Sequence, residues 1–326
     1  MNDASADNQT REAAPPRPKK RDVHGWLVLD KPQGMTSTHA LAKVKRAFGA
    51  KKAGHAGTLD PLATGCLPIA FGEATKTVPF AMEGRKVYRF TVRWGVETDT
   101  DDSEGKTVAS SDERPAREAV EALLQRFTGV ITQVPPRYSA IKVDGERAYD
   151  LAREGEEVEL EPREIEVHQL DLVGFDGDTA TFETECGKGT YVRALARDMG
   201  RVLGCGGHVT ALRRVEVGPF HEELLISLDE IERLRQGPPG EGDLAEKLLP
   251  VETALDDIPA LAVSGADAAR LRRGQAVLLR GRDAPTFSGT VYVTAQGALV
   301  ALAEIERGEL LPRRVFHLPD AARAPV

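Results

Sequence analysis

The residues best placed to do chemistry lie in GHAGTLDPLATG (Gly54 to Gly65), which holds three glycines, one proline and a single carboxylate, Asp60. Pro61 pushes Asp60 toward an extended backbone and away from helix, and the apolar Leu59 and Leu62 direct the loop inward. A carboxylate held there is costly to ionise unless a guanidinium or ammonium stands within about 4 to 6 Å. Taken alone, an aspartate in a glycine loop is most often a turn-capping residue, so its chemistry depends on what the rest of the chain brings to it. CGKGTYVRALARDMGRVLG supplies cations: Arg193, Arg197 and Arg201 recur at every fourth position, off the apolar stripe Val192, Leu195, Ala196, Met199 and Leu203. In RKVYRFTVRWG, Tyr88 shares one strand face with Phe90, Val92 and Trp94, so it is expected to point inward. His55, a lone histidine in the same loop as Asp60, reads by itself as structural.

Other chemical templates fail one by one. There is no G-x-x-x-x-G-K-[ST] loop, and Gly204 and Gly206 are followed by Val209 where a dinucleotide-binding loop needs its third glycine. G-x-S-x-G is absent, and Cys205 with His208 lacks a third orienting group. The acidic run ETDTDDSEG (Glu97 to Gly105) misplaces the glycine of a calcium loop and reads as a solvated turn. Cys66, Cys186 and Cys205 form no C-x-x-C pair, which argues against structural zinc and disulfides and for reduced, buried thiols. Neither a cofactor nor a metal is expected.

The elements that must position these groups follow from pattern. WLVLD reads as a buried strand, followed by a helix capped by Ser37 or Thr38, with Ala40, Leu41, Val44, Ala47 and Phe48 facing inward. LPIAF is a short strand, Pro115 to Phe127 an amphipathic helix with proline in its first turn, and Ile165 to Phe175 and Thr179 to Cys186 are paired strands. Strands and helices do not alternate as regular βαβ units, so the fold class expected is α+β, with a mixed, largely antiparallel sheet flanked by helices. At 326 residues two domains are expected. The boundaries read as a disordered tail over 1–22, a main domain over 23–235, a linker over 236–257 beginning in QGPPGEG, and a small β-rich domain over 258–326. The tail has no apolar core of a signal peptide and no segment is apolar enough to span a bilayer, so a cytoplasmic protein is expected. Net charge is -8, yet residues 19–52 carry nine Lys or Arg against two Asp, and 186–214 six against one. Those two basic segments could form one anion-binding face.

Long segments resemble the bacterial tRNA pseudouridine synthases of the TruB type: LVLDKPQGMTS (Leu27 to Ser37), GHAGTLDPLATGCLPIAFGEATK (Gly54 to Lys76), KVYRFTVRWG (Lys86 to Gly95), YSAIKVDGERAYDLAREG (Tyr138 to Gly155), and CGKGTYVRALARDMG with GCGGHVTALRR (Cys186 to Arg214). The resemblance spans roughly residues 25–220 in the family's order and implies the pseudouridine synthase fold, with an insertion at about 136–164 and a C-terminal PUA-like RNA-binding module. It implies a monomer without cofactor that acts on the T stem-loop of tRNA, isomerising uridine-55. It makes the catalytic residues Asp60, as nucleophile, Arg193, as its ion-pair partner, and Tyr88, as the aromatic that stacks on the flipped base and assists proton removal from C5. His55 is implied to fill the space that base vacates, with Asp102, Tyr191, Leu212 and Lys31 at substrate-binding positions and Lys31 with Pro32 also supporting the catalytic loop. Two rival readings stand beside it: a guide-RNA-dependent pseudouridine synthase subunit, and a non-catalytic tRNA-folding protein that uses the Asp60 loop only structurally.

Overall fold

The computed structural model describes residues 20–139, 142–143, 146–147, 160–236, 243–280 and 286–319. Most of the expected tail, most of the insertion expected over 136–164 and residues 237–242 of the expected linker lie outside them. The core is a ten-stranded mixed sheet, whose main path runs Leu225–Ser227, Gly25–Lys31, Thr64–Phe71, Gly207–Val217, Lys86–Trp94, Thr179–Cys186, Arg163–Phe175 and Gly129–Gln133. Leu225–Ser227 on Gly25–Lys31 and Gly207–Val217 on Thr64–Phe71 are parallel pairs, and the other neighbours on this path are antiparallel, as the α+β reading expects.

Strand Gly25–Lys31 is covered on both faces, Leu27 and Leu29 packing into one cluster and Trp26 and Val28 into another. That is why WLVL carries no polar alternation. Helix Ser37–Ala47 covers the first face through Ala40 and Val44, and helix Val192–Val202 through Val192, Leu195, Ala196 and Met199. The cap of the first helix differs from expectation: Thr36, not Ser37 or Thr38, accepts the backbone N–H of His39 at 3.2 Å. Ser37 is thereby released for another contact, described below. The helix expected over 115–127 is regular only over Arg117–Leu123, with Ala116 at its N-cap; Leu124–Phe127 tightens into a 3-10 turn, so Pro115 lies before the helix.

The C-terminal part is a five-stranded sheet ordered Ala260–Ala262, Gly289–Ala295, Ala298–Glu306, Glu309–Val315 and Val277–Leu278, with helix Gly265–Arg272 and a core of its own around Leu271, Val291, Val293, Val300 and Leu310. The stretch before it is no free tether. Leu249 exchanges backbone hydrogen bonds with Trp26 at 2.7 and 2.9 Å, and Val251, Ala254 and Leu255 pack beside Trp26 and Phe220. A side chain at Gly25 would meet the Leu249 carbonyl at 2.6 Å, so glycine is what permits this docking.

Candidate active site

The Asp60 loop joins strands Ala53–His55 and Thr64–Phe71 and is held from three sides. Leu59 and Leu62 bury into the core, as their position beside Asp60 suggested. The Ser37 hydroxyl clamps the backbone just before Asp60, accepting from Leu59 N at 2.8 Å and donating to Leu59 O at 3.0 Å. Lys31 is 0% exposed and donates to the carbonyls of Pro32, Met35 and Pro61, at 2.9, 2.6 and 3.4 Å. Burial pushes its pKa down to about 8 against the opposing pull of Asp60. A fully buried ammonium cannot reach a substrate, so Lys31 belongs to the loop's support and not to substrate binding. The loop's exit is fixed by Gly65, at φ +93, where a Cβ would lie 2.3 Å from the Arg214 carbonyl oxygen.

Arg193 enters from the first turn of helix Val192–Val202 and is 5% exposed. Its fork is spent in three directions: Nε to Asp60 Oδ2 at 2.9 Å, Nη1 to Thr100 O at 2.8 Å with Asp102 Oδ2 at 3.5 Å, and Nη2 to Tyr138 O at 2.8 Å. Arginine's planar geometry suits this arrangement; a lysine could satisfy only part of it. Asp102, with 4% of its side chain exposed, accepts from Thr100 Oγ1 and Glu104 N through Oδ1 and faces Arg193 through Oδ2. It therefore orients the guanidinium, and it also lines the wider cleft described below. Asp60 is less enclosed than its apolar neighbours suggested, with 39% of its side chain exposed. Oδ2 is tied to Arg193, and Oδ1 has no partner among the described residues.

Asp60 lines a cavity of about 300 Å³ together with Met82, Tyr88, Tyr191, Leu212 and Arg214, among others. The cavity is at the lower end of the roughly 300 to 1,000 Å³ typical of small-ligand sites. Tyr88 and Tyr191 are half-buried, and burial pushes both phenols up. Gln133 fixes Tyr191 by gripping its backbone N–H at 2.9 Å and C=O at 3.1 Å. A wider cleft of about 680 Å³, also lined by Asp60 and Arg193, includes Thr36, Thr38, His55 and Lys106. Burial, reinforced by Arg214, pushes His55 down, so its ring is neutral at ordinary pH, and its buried Nδ1 has no hydrogen-bond partner.

The structure thus places Asp60 and Arg193 in the walls of both cavities, with Tyr88, Tyr191 and Leu212 in the smaller one, His55 and Asp102 in the wider one, and Lys31 buried behind the loop. It corrects the expectation that residues 186–214 present an anion-binding face. Lys188 pairs with Glu83, Arg197 with Asp101 and Asp198, Arg201 with Glu97, and Arg213 with Asp30 and Glu222. The acidic run over 97–105 is accordingly no mere solvated turn; its carboxylates are the counter-charges of helix Val192–Val202. Asp101 is buried at φ +60 against Arg197, and burial pushes its pKa up to about 6. On helix Ser37–Ala47, by contrast, Lys43 and Arg46 are exposed and form no ion pair among the described residues. Ser37 as a clamp, and Arg214, escaped the sequence reading, because both act through contacts distant in sequence. Among the described residues, no group of three or more His, Cys, Asp or Glu is placed to hold a metal ion, and no helix is long and apolar enough to cross a membrane.

Comparison with known proteins adds independent information. Residues 45–192 match the family model described as the N-terminal domain of the TruB family pseudouridylate synthases, and residues 193–256 that of the tRNA pseudouridylate synthase B C-terminal domain. The tRNA pseudouridine synthase B of Bradyrhizobium diazoefficiens is 69% identical, over 95% of this chain and 90% of its own. That of Rhodopseudomonas palustris is 70% identical, over 93% and 83% respectively. Among solved structures, an H/ACA RNP bound to a substrate RNA containing 2′-deoxyuridine aligns with a TM-score of 0.69 at 24% identity, over 91% of this chain and 86% of that one. An archaeal box H/ACA sRNP Nop10–Cbf5 complex gives 0.67 at 24% identity, over 92% and 88%. At that identity the two structures show a shared fold.

Proposed function

Because the chain belongs to the TruB family of pseudouridine synthases, we propose that it isomerises uridine-55 in the T stem-loop of tRNA to pseudouridine, with Asp60 as nucleophile. The observation that carries this reading is the divided Asp60 carboxylate, one oxygen tied to Arg193 at 2.9 Å and the other without a partner among the described residues, on a residue that lines the cavity shared with Tyr88 and Leu212. In the isomerisation the N1–C1′ bond breaks, C1′ bonds to C5, C5 loses its proton and N1 gains one. No atoms are added, so the reaction needs neither cofactor nor metal. What it needs is a nucleophile held in register with a base that has left its stack.

Extruding the base costs a few kcal/mol. Stacking on Tyr88 returns about 1 to 3 kcal/mol, and the neutral ring of His55 suits the space left in the RNA. Arg193 fixes the direction of the Asp60 carboxylate and remains bound to it when its charge is redistributed during attack. The enzyme acts as a monomer in the cytoplasm, and the C-terminal sheet serves as a PUA-like RNA-binding module.

The test is to incubate transcribed tRNA with purified protein, no guide RNA present, and map pseudouridine at nucleotide resolution. A single new pseudouridine in the T loop is expected, with Asp60→Asn still binding tRNA and forming no product. Product formed by Asp60→Asn would remove the nucleophile assignment. Activity only in the presence of a guide complex would favour the guide-dependent reading, which the shared fold with the two RNP structures keeps in view.

A further inference from the structure

The mechanism above makes no use of Arg214. It is 1% exposed, on strand Gly207–Val217 at the wall of the cavity. A buried guanidinium is ordinarily paired with a carboxylate, because an unpaired interior charge is strongly unfavourable. Its neighbour Arg213 obeys this rule through Asp30 and Glu222, whereas Arg214 forms no ion pair among the described residues. It donates from Nε to Cys66 O at 2.8 Å and from Nη2 to Gly57 O at 3.1 Å, both neutral acceptors. A charge retained at that cost inside a reactive cavity calls for a purpose.

Its placement supplies one. In the antiparallel register, Arg214 stands directly opposite Tyr88, and opposite residues project to the same sheet face with Cβ atoms about 4.5 to 5.5 Å apart. The guanidinium lies close enough to the Tyr88 phenol to oppose the effect of burial on it. On its other side it meets the turn that leads to Asp60: a Cβ at Gly57, where φ is +90, would lie 3.2 Å from Nη1. One planar group therefore touches both the strand that carries Tyr88 and the loop that carries Asp60.

We propose that Arg214 is the positioning residue of Tyr88: its fork, held at the head of the Asp60 loop by Gly57, backs the phenol opposite it in the sheet, and its charge, paired with no carboxylate among the described residues, favours negative charge on the phenol oxygen. Burial is the largest influence on that phenol and raises its pKa; Arg214 opposes it, while Cys186 and Asp60 add to it. Removing the guanidinium therefore frees the ring to tilt away from Asp60 and makes its oxygen harder to ionise. The consequence for turnover rests on the proposed pseudouridine synthase activity; the coupling between the two side chains does not.

Two measurements separate these levels. In RNA-free, full-length protein carrying 3,5-difluorotyrosine at its five tyrosines, the fluorine resonance of Tyr88 is assigned by its loss in Tyr88→Phe and titrated with pH. Arg214→Met should raise its ionisation midpoint by roughly 1 to 3 pH units, the range for losing an adjacent opposite charge, with Arg214→Lys between. An unchanged midpoint in either variant, shown by melting to be folded, overturns the proposal. Should Arg214→Met fail to fold, Arg214→Lys carries the test. In single-turnover assays, Arg214→Lys should slow product formation by about tenfold or more, with the tRNA Kd within about twofold of wild type. In the Tyr88→Phe background the same substitution should do almost nothing, since the two residues act as one unit. Fully additive losses overturn the proposal. A wild-type protein inactive on tRNA would sink the proposed function, yet the fluorine titration would still decide whether Arg214 governs Tyr88.

Discussion

Replacing Arg193 by methionine tests the centre of the site, and its cost can be worked out group by group. The substitution removes the partner of Asp60 Oδ2 at 2.9 Å and of Asp102 Oδ2 at 3.5 Å, and leaves the carbonyls of Thr100 and Tyr138 without their 2.8 Å donors. The two carboxylates do not suffer equally. With 39% of its side chain exposed, Asp60 can rehydrate, whereas Asp102, at 4%, cannot. Orphaning one member of a buried pair costs about 3 to 5 kcal/mol, so a loss near 3 kcal/mol is expected, most of it from Asp102. A protein of ordinary stability, about 5 to 15 kcal/mol, survives that. Turnover should not survive, because removal of one preorganised charge partner typically costs about 10² to 10³ in rate, and the free Asp60 carboxylate is also no longer aimed. Urea unfolding and single-turnover pseudouridine formation are the assays. The decisive comparison is Arg193→Met with Arg193→Met/Asp102→Asn: neutralising the orphaned carboxylate should recover about 1 kcal/mol or more of stability and none of the activity. Turnover restored alongside stability, or a single variant within about tenfold of the wild-type rate, would refute the separation of Asp102 as orienter from Asp60 as reactant.

Other expected outcomes follow from the same geometry. Ser37→Ala leaves the buried N–H and C=O of Leu59 without their partner, so stability should fall by about 1 to 3 kcal/mol and kcat by more than tRNA affinity; an unchanged kcat would show that the clamp does not aim Asp60. Gly65→Ala places a Cβ 2.3 Å from the Arg214 carbonyl oxygen at φ +93, and its Tm should drop steeply; a melting curve superimposable on wild type would disprove this backbone constraint. Burial lowers the Lys31 pKa to about 8 in the folded protein, against an ordinary lysine value of 10.5. Below that window both states hold the proton; within it the unfolded chain holds more, so this group's contribution to stability rises with pH while the loop loses an ammonium donor. Turnover should therefore fall above pH 8 without a matching fall in Tm, and a flat rate profile would exclude Lys31 from loop control. Lys43→Glu with Arg46→Glu should weaken tRNA binding and reduce the salt dependence of log Kd by on the order of one unit per lost phosphate contact; an unchanged salt slope would move the RNA face elsewhere.

The Asp60 loop was legible because its constraints are local: glycines mark the turn, Pro61 sets the backbone, and Leu59 with Leu62 mark the inward side. The need for a cation was legible too, as electrostatics alone demands it. Which arginine supplies it was not readable from helical spacing, since Arg193, Arg197 and Arg201 stand on one face at identical intervals. The choice is made by tertiary neighbours, with Asp101 claiming Arg197 and Glu97 claiming Arg201. The same blindness misread the cap of the first helix. Thr36 and Ser37 are equivalent by residue type, and only the position of Leu59, 22 residues later in the chain, decides which hydroxyl caps and which clamps.

Counting charges along a segment failed for a related reason: a count cannot tell a cation already matched inside the fold from one left for a ligand. The acidic run over 97–105 and the arginines of helix Val192–Val202 are far apart in sequence but cancel each other in space, so neither contributes much long-range field. What they contribute is rigidity at the point where Arg193 leaves the helix, because Arg197 ties Asp101 and the Val134 carbonyl one turn further along. That division lets an acidic chain handle a polyanion. Its negative charge is partly consumed in bracing the site, and Lys43 and Arg46 of helix Ser37–Ala47, unpaired among the described residues, remain available at the surface, on the helix whose N-terminal Ser37 clamps the Asp60 loop. On the function proposed above, one short helix both offers its cations to RNA and clamps the Asp60 loop, so displacing it should disturb both together.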